Sequence, residues 1–318
     1  MTVTSTIVAI DAGQTGTRSV ALDGANQVIG RGSAAGVRHL ASPGSIPHTA
    51  RILAQAYEQA CPEAADVAAI GISGWSDDPR HIQRLLGAAQ TAIPAYRLRL
   101  ASDAVTAFIG AADDLPGVVV AVGTGTVIVA ADGAGRWARV DGNGYLLGDQ
   151  GSGFWVGREG LMQAMACADG RGGSPMLLAR ATARYGAAHQ MVDAINAHRA
   201  PVPRIAEFAL DVAHAAADGD AAAIAIWDTA GRLLGCSACA AADRVFAQRS
   251  PVRVTATGGL TAAGSLLLEP LTATIQRARP DSVVRTWANG PLDGAVRLGR
   301  ADEYMTWFPG AVVERVRS

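Results

Sequence analysis

The chain has 318 residues, 49% of them hydrophobic, and a net charge of −1 from 27 basic and 28 acidic side chains. That length supplies two domains with sizeable cores. With no block of like charge, the composition excludes electrostatic binding to nucleic acid or to a membrane surface and points to a small-molecule partner.

No apolar run approaches the ~18 residues of a membrane-spanning helix. The opening segment, Met1 to Thr6, lacks the basic stretch of a secretory signal, so a cytoplasmic protein is expected. Cys61, Cys167, Cys236 and Cys239 are too few and too scattered for a disulfide framework. The six histidines show no metal-site spacing with them.

In chain order, Thr6–Ile10 reads as a β-branched strand, Ser19–Leu22 as its return, and Gln27–Gly30 as a third strand after the Asp23-Gly24 turn. Ile46–Ala60 has helical spacing and stops at Cys61-Pro62. Val67–Ile72 reads as a buried strand, Pro79–Ala89 as a helix, Tyr96–Leu100 as a strand, and a helix starts at Ser102 or Asp103 and runs through Gly110. The pattern restarts near Pro116: strands Val118–Val122, Thr126–Ala130 and Arg136–Val140 are punctuated by glycine turns. Residues 152 to about 248 are alanine-rich and helical, Pro251–Thr257 is a strand, and Leu260–Arg277 reads as one helix before a strand-helix remainder. The strand-turn-strand and β-α-β series therefore occurs twice, which implies a mixed α/β sheet in each half and a cleft between the halves, a favoured place for ligands.

Three glycine-threonine clusters punctuate these strands. The first, Asp11-Ala12-Gly13-Gln14-Thr15-Gly16-Thr17-Arg18, follows the first strand; its turn amides can form an anion-binding nest, and Asp11 offers oxygen to a hard cation such as Mg²⁺. The spacing is neither the Walker pattern nor the dinucleotide fingerprint. The second, Gly123-Thr124-Gly125-Thr126, occupies the equivalent turn of the second half. The third, Gly258-Gly259 through Gly264, lies at a strand-to-helix junction, where backbone can approach a base or phosphate. Each alone is also compatible with plain turn chemistry or close packing.

The densest signal is Gly142-Asn143-Gly144-Tyr145-Leu146-Leu147-Gly148-Asp149-Gln150-Gly151-Ser152-Gly153, five glycines around one carboxylate. Such a lining lets backbone approach a ligand while Asp149 accepts hydrogen bonds from hydroxyls, as a sugar offers them. Asp103, after a strand and at a helix start, reads either as an N-cap or as a carboxylate that orients and deprotonates an attacking hydroxyl.

Together these clusters and carboxylates resemble the sugar-kinase/actin/heat-shock-ATPase superfamily, and within it the BadF/BadG/BcrA/BcrD-type ATPase family, in its N-acetylglucosamine kinase-like branch. The resemblance spans about residues 6 to 300. It implies an α/β fold of two ribonuclease H-like (actin-like ATPase) domains with a cleft between them. The domains expected are residues 1–115 and 116–318, the second with a helical insertion and with the last helix packing back on the first domain.

The resemblance further implies ATP and Mg²⁺ as cofactors. Asp11 would meet the metal; Gly13, Gln14, Thr15, Gly16, Thr17, Thr124, Gly258 and Gly259 would meet ATP. Asp103 would be the base, and Gly125, Thr126, Asn143, Gly144, Asp149, Ser152 and Gly153 would line the sugar pocket. The activity implied is phosphorylation of a hydroxyl, the 6-hydroxyl first, of N-acetylglucosamine or a relative such as glucosamine or N-acetylmuramic acid. Separately, the alanine-rich helices from 203 to 242 suit a dimer surface, so a homodimer is expected. Four departures mark the chain: Gln14 where relatives tend to carry a third glycine, Gln150 where an acid usually follows the sugar-binding Asp, Asn143 in place of a common Trp, and no sugar-contacting Asn in residues 34–40.

Two other readings compete. One is a non-catalytic sugar or nucleotide sensor on the same fold, against which the retention of Asp11, Asp103 and Asp149 counts. The other is a BadF-type dehydratase activator with an iron–sulfur cluster, for which Cys236 and Cys239 have suggestive spacing but lie in a helical stretch.

Overall fold

The computed structural model describes residues 5–112 and 116–317. The expected domain junction after residue 115 therefore touches residues outside the described ones, as do the first four residues of the opening segment. In chain order the elements are β1 (Ile7–Ala12), β2 (Thr17–Leu22), β3 (Val28–Ala34), α1 (Ser45–Ala60), β4 (Ala65–Ile72), α2 (Pro79–Ala92), β5 (Ala95–Ser102) and α3 (Asp103–Ala111). There follow β6 (Gly117–Val122), β7 (Thr126–Ala131), β8 (Trp137–Asp141), α4 (Gly153–Ala168), α5 (Pro175–Tyr185), α6 (Ala188–Asn196), α7 (Pro201–Ala206), α8 (Phe208–Ala217) and α9 (Ala221–Val245). The chain ends with β9 (Arg253–Thr257), a 3-10 turn (Gly259–Ala263), α10 (Ser265–Ala278), β10 (Val283–Thr286), α11 (Pro291–Arg300), α12 (Glu303–Trp307) and β11 (Val312–Val316).

The chain forms two compact units, one of Met1–Pro116, Ala131–Trp137 and Ala288–Ser318, the other of Gly117–Ala130 and Ala138–Trp287. Unit 1 is built on a six-stranded mixed sheet of order β11-β5-β4-β1-β2-β3, in which β1, β4 and β5 run parallel. Side chains alternate across a strand, and β1 shows it: Val8, Ile10 and Ala12 join the core under α1 and α2, whereas Ala9 joins Ala295 of α11. Helix α2 starts cleanly because Pro79 stands at its first position and the Asp78 side chain accepts the Arg80 N–H.

On the opposite face, α3 and α11 cross closely through glycines. A β-carbon on Gly110 would run into the Gly290 carbonyl, and one on Gly294 into the Thr106 carbonyl. Arg297 closes the C-terminal end of α3 by donating to the Ile109 and Ala112 carbonyls at 3.1 and 3.0 Å, which a helix end otherwise leaves without partners.

Unit 2 carries a five-stranded sheet of order β10-β9-β6-β7-β8, with β9 parallel to both β6 and β10. Its core is helical on one side: Trp227 of α9 is fully buried among Val156, Phe208, Val212, Leu267 and Leu271. Alanine and glycine let α9 and α10 approach closely, with Gly231 and Gly235 facing the Leu267 and Leu271 carbonyls.

One element differs from the sequence expectation. The helix read over Leu260–Arg277 is split: Gly264 adopts φ +60, a conformation that favours glycine, and separates a 3-10 turn from α10. The C-terminal remainder is strand and helix as expected, and its last strand, β11, pairs antiparallel with β5 at the edge of the first sheet. Among the described residues no helix is long and apolar enough to cross a membrane.

Candidate active site

In unit 1 the parallel strands β1, β4 and β5 end together. Asp11 is in register with Gly71, and Gly71 with Ala101, so Ser102 and Asp103 follow within two residues of the level of Asp11. Asp11 falls on the same face of the sheet as Ala9, the face that α3 and α11 cover. Beside it, Gly71 leaves room for the Thr106 side chain of α3, one turn after Asp103. The sheet edge and one helix thus bring Asp11 and Asp103 to a common place.

The capping role that sequence leaves open for Asp103 belongs to Ser102, whose hydroxyl accepts the Val105 N–H at 3.3 Å. Asp103 is the first residue of α3 and is half-buried. Asp11 is 7% exposed and its Oδ2 accepts from Arg18 Nη2 at 2.8 Å.

The turn between β1 and β2 is tied down from both sides. Gly13 donates its N–H to Gly16 O (3.0 Å) and accepts from Val37 N–H (3.0 Å), while the Thr17 hydroxyl donates to Ala35 O (2.8 Å). The Gly13 amide and the Thr17 hydroxyl are therefore engaged inside the protein. Gln14 and Thr15 stand exposed at the tip, and Gly16 is half-buried. Gly36 packs so tightly on the Gln14 carbonyl that a β-carbon there would overlap it.

In unit 2 the corresponding turn behaves likewise. Gly123 donates to Gly125 O at 2.9 Å, the buried Thr126 hydroxyl donates to Ala121 O at 3.2 Å, and Thr124 stands exposed. The start of α4 docks on this turn: Gly153 N–H reaches Gly123 O (2.8 Å) and Phe154 N–H reaches Thr124 O (3.0 Å). Ser152 is fully buried and caps α4, its hydroxyl accepting the Trp155 N–H at 3.2 Å.

Asp149 joins the same group. Its Oδ1 accepts the Thr126 N–H at 3.1 Å, and its carboxylate lies where a side chain on Gly125 would be. Burial pushes its carboxyl pKa up; the Thr126 N–H opposes this and the charge of Asp141 adds to it. Asn143 and Gly144 are exposed on the loop before it, and Tyr145 packs edge-on against Phe154 with centroids 5.2 Å apart. Gly258, at φ +102, lies against the Val122 carbonyl because β6 and β9 end side by side; Gly259 opens the 3-10 turn that follows.

Unit 1 thus gathers Asp11, the Gly13–Thr17 turn and Asp103, and unit 2 gathers the Gly123–Thr126 turn, Asn143–Gly153 and Gly258. Sequence reasoning missed Asp141, whose carboxylate accepts the N–H groups of Asn143, Asp149 and Gln150. The signal available was an Asp before Gly-Asn-Gly, which reads only as a turn. Asp11 offers the hard oxygen donor that Mg²⁺ requires, on a buried strand end beside the exposed Gln14-Thr15 turn tip, so its chemistry fits such an ion.

Cys236 and Cys239 lie on α9, the first exposed and the second half-buried, with burial raising the pKa of the Cys239 thiol. Among the described residues no group of three or more His, Cys, Asp or Glu is arranged to hold a metal ion alone.

Comparison with known proteins agrees with this architecture. A curated N-acetylmuramic acid/N-acetylglucosamine kinase of Clostridium acetobutylicum is 24% identical over 208 residues, 65% of this chain and 68% of the relative. A crystal structure provisionally assigned as an N-acetylglucosamine kinase of Chromobacterium violaceum superposes with a TM-score of 0.70 at 24% identity, covering 93% of this chain and 99% of the other. A second, provisionally assigned to the same activity, from Porphyromonas gingivalis, gives 0.70 at 17% identity over 95% and 98%. These likenesses establish the actin-like ATPase fold. The family model for BadF/BadG/BcrA/BcrD ATPases matches residues 8–296, nearly the whole chain, and the protein belongs to the BadF/BadG/BcrA/BcrD ATPase family.

Proposed function

We propose that the protein is an ATP-dependent sugar kinase that transfers the γ-phosphate to a hydroxyl of an amino sugar, N-acetylglucosamine or a relative such as glucosamine or N-acetylmuramic acid, at the 6-position. The observation that carries this reading is that Asp11 and Asp103 lie at the level where the parallel strands β1, β4 and β5 of the first sheet end, beside a Gly/Thr turn. Family membership and the kinase activity named for the Clostridium relative support it.

Phosphoryl transfer depends mainly on positioning and on neutralising charge. In this reading Asp103 orients the attacking hydroxyl and takes its proton late. Exposed Thr15 and Thr124 and the turns that carry them receive phosphate oxygens, together with Gln14, Gly16 and the Gly258–Gly259 backbone. Asp11 holds Mg²⁺, which when bound supplies positive charge to the nucleotide phosphates. Asp149 accepts hydrogen bonds from sugar hydroxyls, and Gly125, Asn143 and Gly144 lie around it.

The test is coupled ADP release with Mg·ATP against N-acetylglucosamine, glucosamine, N-acetylmuramic acid, N-acetylmannosamine and glucose. Turnover with one amino sugar supports the reading and identifies the acceptor. Nucleotide binding without turnover on any of them overturns it.

A further inference from the structure

Asp141 ends β8 in the left-handed region, at φ +61, and its carboxylate bridges both ends of the loop that follows. Oδ1 accepts the Asp149 N–H at 2.8 Å and the Asn143 N–H at 3.4 Å; Oδ2 accepts the Gln150 N–H at 3.1 Å. The bond to Asn143 is the local turn chemistry any Asp can supply. The bonds to Asp149 and Gln150, eight and nine residues further on, are not. Gly148 fits against the same oxygen, where a β-carbon would collide with it. Held this way, Asp149 adopts φ +56 and turns its own Oδ1 to the Thr126 N–H.

We propose that Asp141 is the positioning residue for the sugar-binding carboxylate: it closes the 142–149 loop through backbone amides and fixes the direction of Asp149 before any sugar arrives. The proposal rests on the reading of Asp149 as a sugar ligand. The Asp141 carboxylate accepts three backbone N–H groups, and hydrogen bonds to a carboxylate are among the stronger ones. The fixed loop removes an ordering cost from sugar binding, which is how preorganisation improves affinity. The amides Asp141 holds belong to the loop that carries Asp149, so its effect is expected more on the sugar than on the nucleotide.

The experiment compares Asp141→Asn and Asp141→Gly in the full chain. Both residues tolerate positive φ; Asn keeps one acceptor and Gly keeps none. Amide hydrogen exchange over residues 142–150 is measured alongside KM for the accepted sugar, KM for ATP, and the melting temperature. Expected for Asp141→Gly are exchange at the Asp149 and Gln150 amides about tenfold faster or more, and a sugar KM raised by a similar factor with the ATP KM nearly unchanged. Asp141→Asn should fall between this variant and the wild type.

Unchanged exchange overturns the proposal whatever the activity, and so do equal rises in both KM values. Faster exchange with an unchanged sugar KM reduces Asp141 to a loop brace and also overturns it. If the wild type phosphorylates no amino sugar, the sugar-kinase reading fails separately, and the exchange result alone decides whether Asp141 holds Asp149.

Discussion

Arg18 Nη2 stands 2.8 Å from Asp11 Oδ2 at directly opposed positions of β1 and β2. The two ends of this pair live in different media: the carboxylate is nearly buried, whereas the Arg18 side chain is 69% exposed. A carboxylate already holding a guanidinium must release it, or share it, to accept a divalent cation. Arg18→Ala is therefore expected to tighten Mn²⁺ binding in an electron paramagnetic resonance titration of the nucleotide-free protein. It should cost under about 1 kcal/mol of stability, because so exposed a cation is screened by water. Looser Mn²⁺ binding in this variant would show that Arg18 helps rather than competes.

Asp103→Asn tests the base. Ser102 supplies the cap of α3, so the substitution leaves the helix start intact. Loss of general-base help is typically worth ~10²–10⁴-fold, and kcat should fall by about that much. Nucleotide affinity, read by isothermal titration, should hardly change. Turnover equal to the wild type removes Asp103 from the chemistry.

Asp149 gives a pH-dependent prediction with a definite sign. Burial raises its carboxyl pKa, with the Asp141 charge in the same direction and the Thr126 N–H against. A carboxyl raised in the folded state is favoured by folding while protonated; that stability is present at acid pH and lost as pH rises through the raised value. At neutral pH the ionised group weighs against the fold. Asp149→Asn should accordingly melt higher than the wild type near neutrality, with the gap closing as pH falls through the carboxylate range. Sugar affinity should drop about 10- to 100-fold, the value of a hydrogen bond to a charged group. A lower melting temperature at neutral pH would falsify the electrostatic account.

Gly258 is the counterpart on the proposed nucleotide side. It combines φ +102 with a β-carbon position occupied by the Val122 carbonyl. Gly258→Ala must strain the backbone and push β9 away from β6, at a cost of about 1–3 kcal/mol. Chemical denaturation should register the loss, and KM for ATP should rise more than KM for the sugar. An unchanged denaturation midpoint contradicts the packing described.

Much of this was legible in sequence because it is local. β-branched runs mark β1, β4 and β6; Pro79 marks α2; the glycine-threonine turns fall where strands end. The parallel register that aligns Asp11 with the start of α3 follows from β-α-β order. What escaped reading is long-range. Nothing in Val312–Val316 announces that it pairs with β5, some two hundred residues earlier, and the α10 boundary depended on one left-handed glycine. Asp141 looked like a turn residue because its partners lie eight and nine positions away. The hydroxyls of Thr17 and Thr126 looked available until their carbonyl partners, Ala35 and Ala121, were in view.

That C-terminal return is tied to β5 by a buried cation, with Arg97 beside it within 3.7 Å of Asp302 and 4.0 Å of Glu314. Arg99 of β5 is 2% exposed and donates to Glu314 of β11 at 2.8 Å, to Asp302, and to the Leu298 carbonyl at 2.7 Å. The pairing is reflected in both partners: hydrogen bonding to Arg99 holds the Asp302 carboxyl below its usual range, and the two acids outweigh burial in raising the Arg99 pKa. A depressed carboxyl contributes stability above its unfolded pKa and loses it as pH falls, so this anchor weakens in acid. Arg99→Met keeps the buried stem but removes the donor of the Leu298 carbonyl, at about 1–3 kcal/mol; the acids, Asp302 at 76% exposure and Glu314 beside Arg97, add little. Urea unfolding should show the loss, and amide exchange in 312–316 should accelerate before that of β1. If β11 keeps its protection in Arg99→Met, backbone pairing with β5 suffices and the arginine does not hold the return segment.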